Sequence, residues 1–130
     1  MNKEERILRA MLDEDQPIFQ QIAQMIMDDI VDGQLKEGER IPSENELSRF
    51  YNINRATARK GLQALVDEDI IYKQRGIGMF VKEGARNQLL QEKQGHYRQT
   101  YIRPLLEEAK RIGMPIDQVI EMITEEEKKL

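Results

Sequence analysis

Apolar positions after Pro17 follow a helical period: Ile18, Phe19, Ile22, Ile26 and Ile30 fall on one side, and Gly33 closes the run. This predicts a helix over residues 17 to about 32, with Pro17 at the first helical position, where its missing N–H would have had no partner anyway. Residues 36–41 read as a loop around Gly38. Ser43 then stands three residues before Glu46, the spacing of a capping box, so a second helix is expected through Leu47 and Phe50 to Tyr51. Asn54 can cap a third helix, whose inner face is Ala58, Leu62, Leu65 and Val66. Two short helices joined by so brief a turn must cross steeply, as a helix-turn-helix. After Asp69 the period becomes that of strands: residues 70–74 and 79–82, joined through Arg75-Gly76-Ile77-Gly78, form a hairpin, or wing. Helical spacing returns from about Arg86, with Tyr97, Tyr101, Ile102, Leu105, Ala109 and Ile112 on one side. Pro104 should kink or divide this run, and Gly113 ends it. A last helix after Pro115 turns Ile116, Val119, Ile120 and Ile123 inward. At the start of the chain, residues 3–12 read as a short helix with Ile7, Leu8 and Met11 together.

Composition narrows the function. The 130 residues, 39% apolar and 34% charged, suit one ordinary domain, or one small domain with an appended oligomerisation piece. No apolar run is long enough to span a membrane, and the charged N-terminus does not read as a secretory signal. There is no cysteine, and His96 is the only histidine, so disulfides and the usual zinc or iron sites are not expected. These features point to a cytoplasmic protein without metal or other cofactor. No nucleophile–base pair, phosphate loop or metal spacing is present, so an enzyme is not expected. The net charge of −4 argues, taken alone, against nucleic acid. Its distribution argues otherwise: residues 36–82 carry nine basic against seven acidic side chains, whereas both flanking segments are acidic.

The third helix carries the candidate chemistry. With its apolar face inward, Ala56, Thr57, Lys60 and Gln63 face outward and Arg59 lies on the flank. Arg55 sits in the first turn, the end that enters a major groove in helix-turn-helix proteins. Arginine can bond both O6 and N7 of guanine, whereas Thr57, Arg59 and Lys60 suit phosphate oxygens. Arg75 at the wing tip suits a minor groove, where the potential favours arginine.

The stretch from Pro17 to Val81 resembles the N-terminal domain of the GntR family of bacterial transcription factors. The resemblance rests on a helix ending in Asp32-Gly33, on Gly38-x-x-Ile41-Pro42-Ser43-Glu44-x-Glu46-Leu47, on Thr57-x-Arg59, and on Arg75-Gly76-x-Gly78-x-Phe80-Val81. It implies that Arg55, Thr57, Arg59 and Gly76 occupy positions used against DNA, and that Asn45 matches one that can touch bases. Three residues depart from the pattern. Ala56 replaces a common threonine, and Asp69 a usual glycine. Gly61 replaces a usual alanine, which should weaken the third helix by ~1 kcal/mol. Only 47 residues follow Glu83, too few for the large ligand-binding domains of many members. That shortness resembles the YtrA subfamily, whose helical tail serves dimerisation and whose genes often adjoin ABC transporters, and it implies a repressor.

The expected fold is therefore mainly α with a small β wing: an N-terminal extension over 1–16, a winged helix-turn-helix domain over 17–83, and a two-helix dimerisation region over 84–130. The partners expected are a double-stranded DNA operator, near-palindromic, and a second copy of the chain. DNA contacts fall to Asn45, Arg55, Ala56, Thr57, Arg59, Lys60, Arg75 and Gly76; dimer contacts fall to Tyr97, Tyr101, Leu105, Ala109, Ile112, Ile116 and Ile120. Two rival readings remain open: a winged helix that binds acidic protein, and a DNA-binding sensor taking a small-molecule effector between its tail helices without a dedicated ligand domain.

Overall fold

The computed structural model describes residues 15–130. The short helix expected over residues 3–12 lies outside the described residues. The chain divides into two compact units, one ending at Leu90 and one comprising Gln91–Leu130.

In the first unit, α1 (Ile18–Val31) buries Ile22, Ala23, Ile26 and Ile30. Pro17 precedes this helix instead of opening it, and its carbonyl accepts from Gln20 N at 3.1 Å and Gln21 N at 3.3 Å. Helix α2 (Glu44–Tyr51) starts on the expected capping box: Glu46 N donates to Ser43 Oγ at 3.1 Å and Ser43 N to Glu46 Oε1 at 3.3 Å. Such a cap contributes ~1 kcal/mol. Asn52 closes α2 in the left-handed region, at φ 53°. Two residues on, Asn54 Oδ1 accepts from Ala56 N at 2.8 Å and opens α3 (Arg55–Asp67). Helix α3 buries Ala58, Gly61, Leu62 and Leu65.

The chain leaves α3 through a Schellman turn. Ile70 N bonds Leu65 O and Asp69 N bonds Val66 O, each at 3.0 Å, while Asp69 takes φ 65°. Strands β1 (Ile71–Gln74) and β2 (Gly78–Val81) pair antiparallel, Gln74 opposite Gly78. The wing loop is thus Arg75-Gly76-Ile77; Gly78, expected in the turn, already belongs to β2. The expected loop at 36–41 is also more ordered than its sequence suggests. Gly38 N bonds Val81 O at 2.8 Å, Val81 N bonds Glu39 O at 3.0 Å and Ile41 N bonds Met79 O at 2.9 Å, so residues 38–41 run along β2 as a third edge. Ile41, Ile70, Ile71 and Val81 join the helices in one core, in which each fully buried aliphatic side chain contributes about 1.5–3 kcal/mol.

Helix α4 (Ala85–Tyr97) packs Ala85 and Leu89 into that core and crosses the boundary between the units. In the second unit a π-helical turn, Arg98–Ile102, leads into α5 (Arg103–Arg111), with Pro104 in its first turn. The expected division at Pro104 is thus present: the π turn separates α4 from α5, with helical backbone angles at both junctions. After Gly113, α6 (Ile116–Glu127) returns with Val119 buried. Of the residues expected to point inward on this helix, only Val119 does; Ile116, Ile120 and Ile123 stand about half exposed.

Candidate nucleic-acid interface

Helix α3 presents its polar face as expected: Arg55, Ala56, Arg59, Lys60 and Gln63 are exposed and Thr57 is partly so. The side chains are not independent, however. Glu44, the first residue of α2, accepts from Arg55 Nη2 at 3.0 Å, from Arg59 Nε at 3.0 Å and from Arg59 Nη2 at 3.1 Å. One carboxylate thus clamps both arginines, Arg59 through a two-point fork. These hydrogen bonds, that of Arg59 foremost and then that of Arg55, lower the Glu44 pKa to about 2, against a smaller opposing effect of burial. The same hydrogen bond raises Arg59. Each guanidinium carries five N–H donors, and the clamp uses one from Arg55 and two from Arg59. Both arginines therefore keep free donors while their orientation is fixed.

The other candidates are placed as follows. Asn45 is exposed on the first turn of α2, next to the clamp. Lys60 is held by α1, its Nζ 4.1 Å from the centre of the Phe19 ring. Gln63 bonds Asp67 within the same helix at 2.9 Å. Arg75 is exposed at the wing tip beside Gly76, whose φ of 79° suits glycine. The sequence reading missed Glu44. It had noted Ser43 and Glu46 as a cap, but the carboxylate between them works across 11 and 15 residues of sequence, beyond any local pattern.

The residues expected at a dimer contact all lie in the second unit. Tyr97, Tyr101, Leu105, Ile112, Ile116 and Ile120 are exposed, Tyr101 to 61%. Ala109 differs: it is buried within the unit, where it floors an apolar cleft with Val119 and Met122. No group of histidine, cysteine, aspartate or glutamate among the described residues could hold a metal ion.

The model of bacterial regulatory proteins of the gntR family matches residues 18–81, from the start of α1 to the end of the wing. The chain belongs to the GntR family. The HTH-type transcriptional repressor YtrA of Bacillus subtilis is 29% identical over 84% of this chain and 83% of its own. The mannosyl-D-glycerate transport/metabolism system repressor MngR of Escherichia coli is 37% identical over 71 residues, which are 55% of this chain and 30% of that relative. This chain thus spans less than a third of several longer relatives but most of YtrA. A crystal structure of a GntR-family regulator from Bacteroides thetaiotaomicron superposes with a TM-score of 0.69 at 29% identity, covering 86% of this chain and 97% of the other.

Two departures from the GntR pattern have structural accounts. Asp69 stands at the left-handed position of the α3 turn, where glycine is usual, and its carboxylate pairs with Lys82 on the strand side. Gly61 was expected only to weaken α3. Instead it lets α1 approach: a Cβ there would lie 2.9 Å from the Phe19 carbonyl oxygen and 3.4 Å from Ile22 Cβ.

Proposed function

We propose that this GntR-family protein is a homodimeric, sequence-specific DNA-binding repressor acting in the cytoplasm. The observation that carries the reading is the Glu44 clamp, which fixes Arg55 and Arg59 on the exposed face of α3 with hydrogen-bond donors to spare. In this reading the N-terminal turns of α3 enter a major groove, with Arg55 reading a guanine and Asn45, Ala56 and Thr57 against neighbouring bases or phosphates. Arg59 and Lys60 fix register on the backbone. Arg75 and Gly76 approach the adjacent minor groove.

The dimer follows from the second unit. Its side chains at Tyr97, Tyr101, Leu105, Ile112, Ile116 and Ile120 are exposed, and apolar surface gathered in this way marks an interaction site. A second copy covers it and sets two reading heads on an operator with inverted half-sites. The resemblance to YtrA supports repression, and the branch it belongs to suggests an ABC transporter operon as the target.

The test is selection of bound duplexes from a random pool by purified protein at near-physiological salt, with sedimentation of the free protein alongside. An enriched inverted repeat and a sedimenting dimer are expected. Salt-sensitive binding without enrichment, or a monomer at micromolar concentration, would overturn the reading.

A further inference from the structure

The recognition helix and the wing are separated by a basic cleft that neither motif predicts. It has a volume of about 400 Å³ and is lined by Arg40, Ser43, Glu44, Arg59, Lys73 and Gly78, among others. Three cations thus face it against one carboxylate, and that carboxylate is already engaged by two arginines.

Arg40 reaches the cleft because residues 38–41 run along β2. Alternation on that edge sends Ile41 into the core, at 1% exposure, and Arg40 outward. Its side chain then crosses the start of β2 at Gly78, which has no Cβ. A Cβ at Gly78 would stand 2.9 Å from Arg40 Nε and 3.5 Å from its Cδ. Among the described residues the guanidinium pairs with Glu46 Oε1 at 3.5 Å, and both side chains remain 53% exposed. The Lys73 side chain, exposed on β1, has no hydrogen bond or ion pair among the described residues.

Position gives this pair a ligand. If α3 lies in a major groove and Arg75 enters the neighbouring minor groove, one sugar–phosphate strand separates those grooves and must pass between α3 and the wing tip. The cleft lies there. We propose that Arg40 and Lys73 hold consecutive phosphates of that strand, locking the wing to the recognition helix on the duplex, and that glycine at position 78 makes room for Arg40. The assignment rests on the DNA-binding reading above. It adds a sequence-independent contact to it, because phosphates carry no base information.

The experiment is a salt titration of full-chain binding, followed by fluorescence anisotropy, to the selected operator and to a scrambled duplex. The proteins are the wild type, Arg40→Gln, Arg40→Lys and Lys73→Gln. Each neutralised phosphate contributes about 0.9 to the slope of log K against log salt. Arg40→Gln and Lys73→Gln are each expected to lower that slope by ~1. Both should weaken operator and scrambled duplex by the same factor, and Arg40→Lys should restore the slope. Lys73→Gln removes no contact within the protein, so its result stands even if Arg40→Gln disturbs folding. Unchanged slopes in both glutamine variants, with wild-type binding intact, would overturn the phosphate assignment alone. A change in the operator-to-scrambled ratio would overturn it in favour of base reading. Failure of the wild type to bind either duplex would overturn the DNA reading itself.

Discussion

Replacing Glu44 by glutamine tests the arrangement most directly. The carboxylate accepts three hydrogen bonds of 3.0–3.1 Å from two arginines, each about 60% exposed, while its own side chain is 25% exposed. Exposed ion pairs contribute little, so the clamp is expected to stabilise the fold only slightly at neutral pH. Because the Glu44 pKa is depressed from 4.5 to about 2, this contribution is present above pH 4.5 and is lost as the pH falls towards 2. Wild type and Glu44→Gln should therefore differ in urea midpoint at pH 7 and converge under acid. The larger effect falls on recognition. Glutamine keeps the shape but removes the charge and one of the two acceptor oxygens, so Arg55 and Arg59 are held less firmly, and one negative charge near the phosphates disappears. A bidentate arginine–guanine contact discriminates by about 1–3 kcal/mol, and releasing Arg55 from its fixed geometry should forfeit a good part of that, roughly tenfold in the ratio of operator to scrambled affinity. Affinity for scrambled duplex should rise at the same time, and its salt slope should steepen. Competition anisotropy measures both. An unchanged or improved ratio would refute the view that Glu44 organises the arginines and leave it as a mere surface pair.

Four further outcomes are expected. Arg55→Ala should lower operator affinity by about 1–3 kcal/mol and relax base preference at one position per half-site, read by repeating the selection with the variant. Gly61→Ala gains ~1 kcal/mol of helix propensity but forces a Cβ to 2.9 Å from a backbone oxygen of α1. Overpacking of this kind costs about 1–3 kcal/mol, so the melting temperature should fall, and a rise would show that α1 yields freely. Asp69→Gly and Asp69→Ala both remove the pair with Lys82, but only alanine keeps the strain of φ 65°. Alanine should be the less stable by about 1–2 kcal/mol, and equal denaturation midpoints would remove the strain argument. Ile120→Glu places a charge on the exposed apolar face of α6 and should yield a monomer in sedimentation with weakened operator binding; a persistent dimer would move the interface elsewhere.

Much of the reading head could be read from the chain because its signals are local. A capping box spans three residues, a helix face repeats every three or four, and a wing turn needs glycine beside the strands it joins. Ser43 with Glu46, Asn54, the stripe Ala58–Leu62–Leu65 and Gly76 are each decided by neighbours in sequence, and the structure places them as the pattern requires. At Pro104 the pattern predicts a kink or a division, and the run is divided there; that the division takes the form of a π turn is not written in the proline.

The sequence by itself determined the elements, their order and the face on which the arginines lie, because backbone propensity and hydrophobic period act over a few residues. Only the tertiary structure decided what those faces meet. Glu44 reaches Arg55 and Arg59, residues 38–41 border β2, Arg40 lies over Gly78, and Gly61 admits the backbone of α1. Each of these depends on how closely separately formed elements approach, and that distance is set by the packing of the whole core and is written in no single segment.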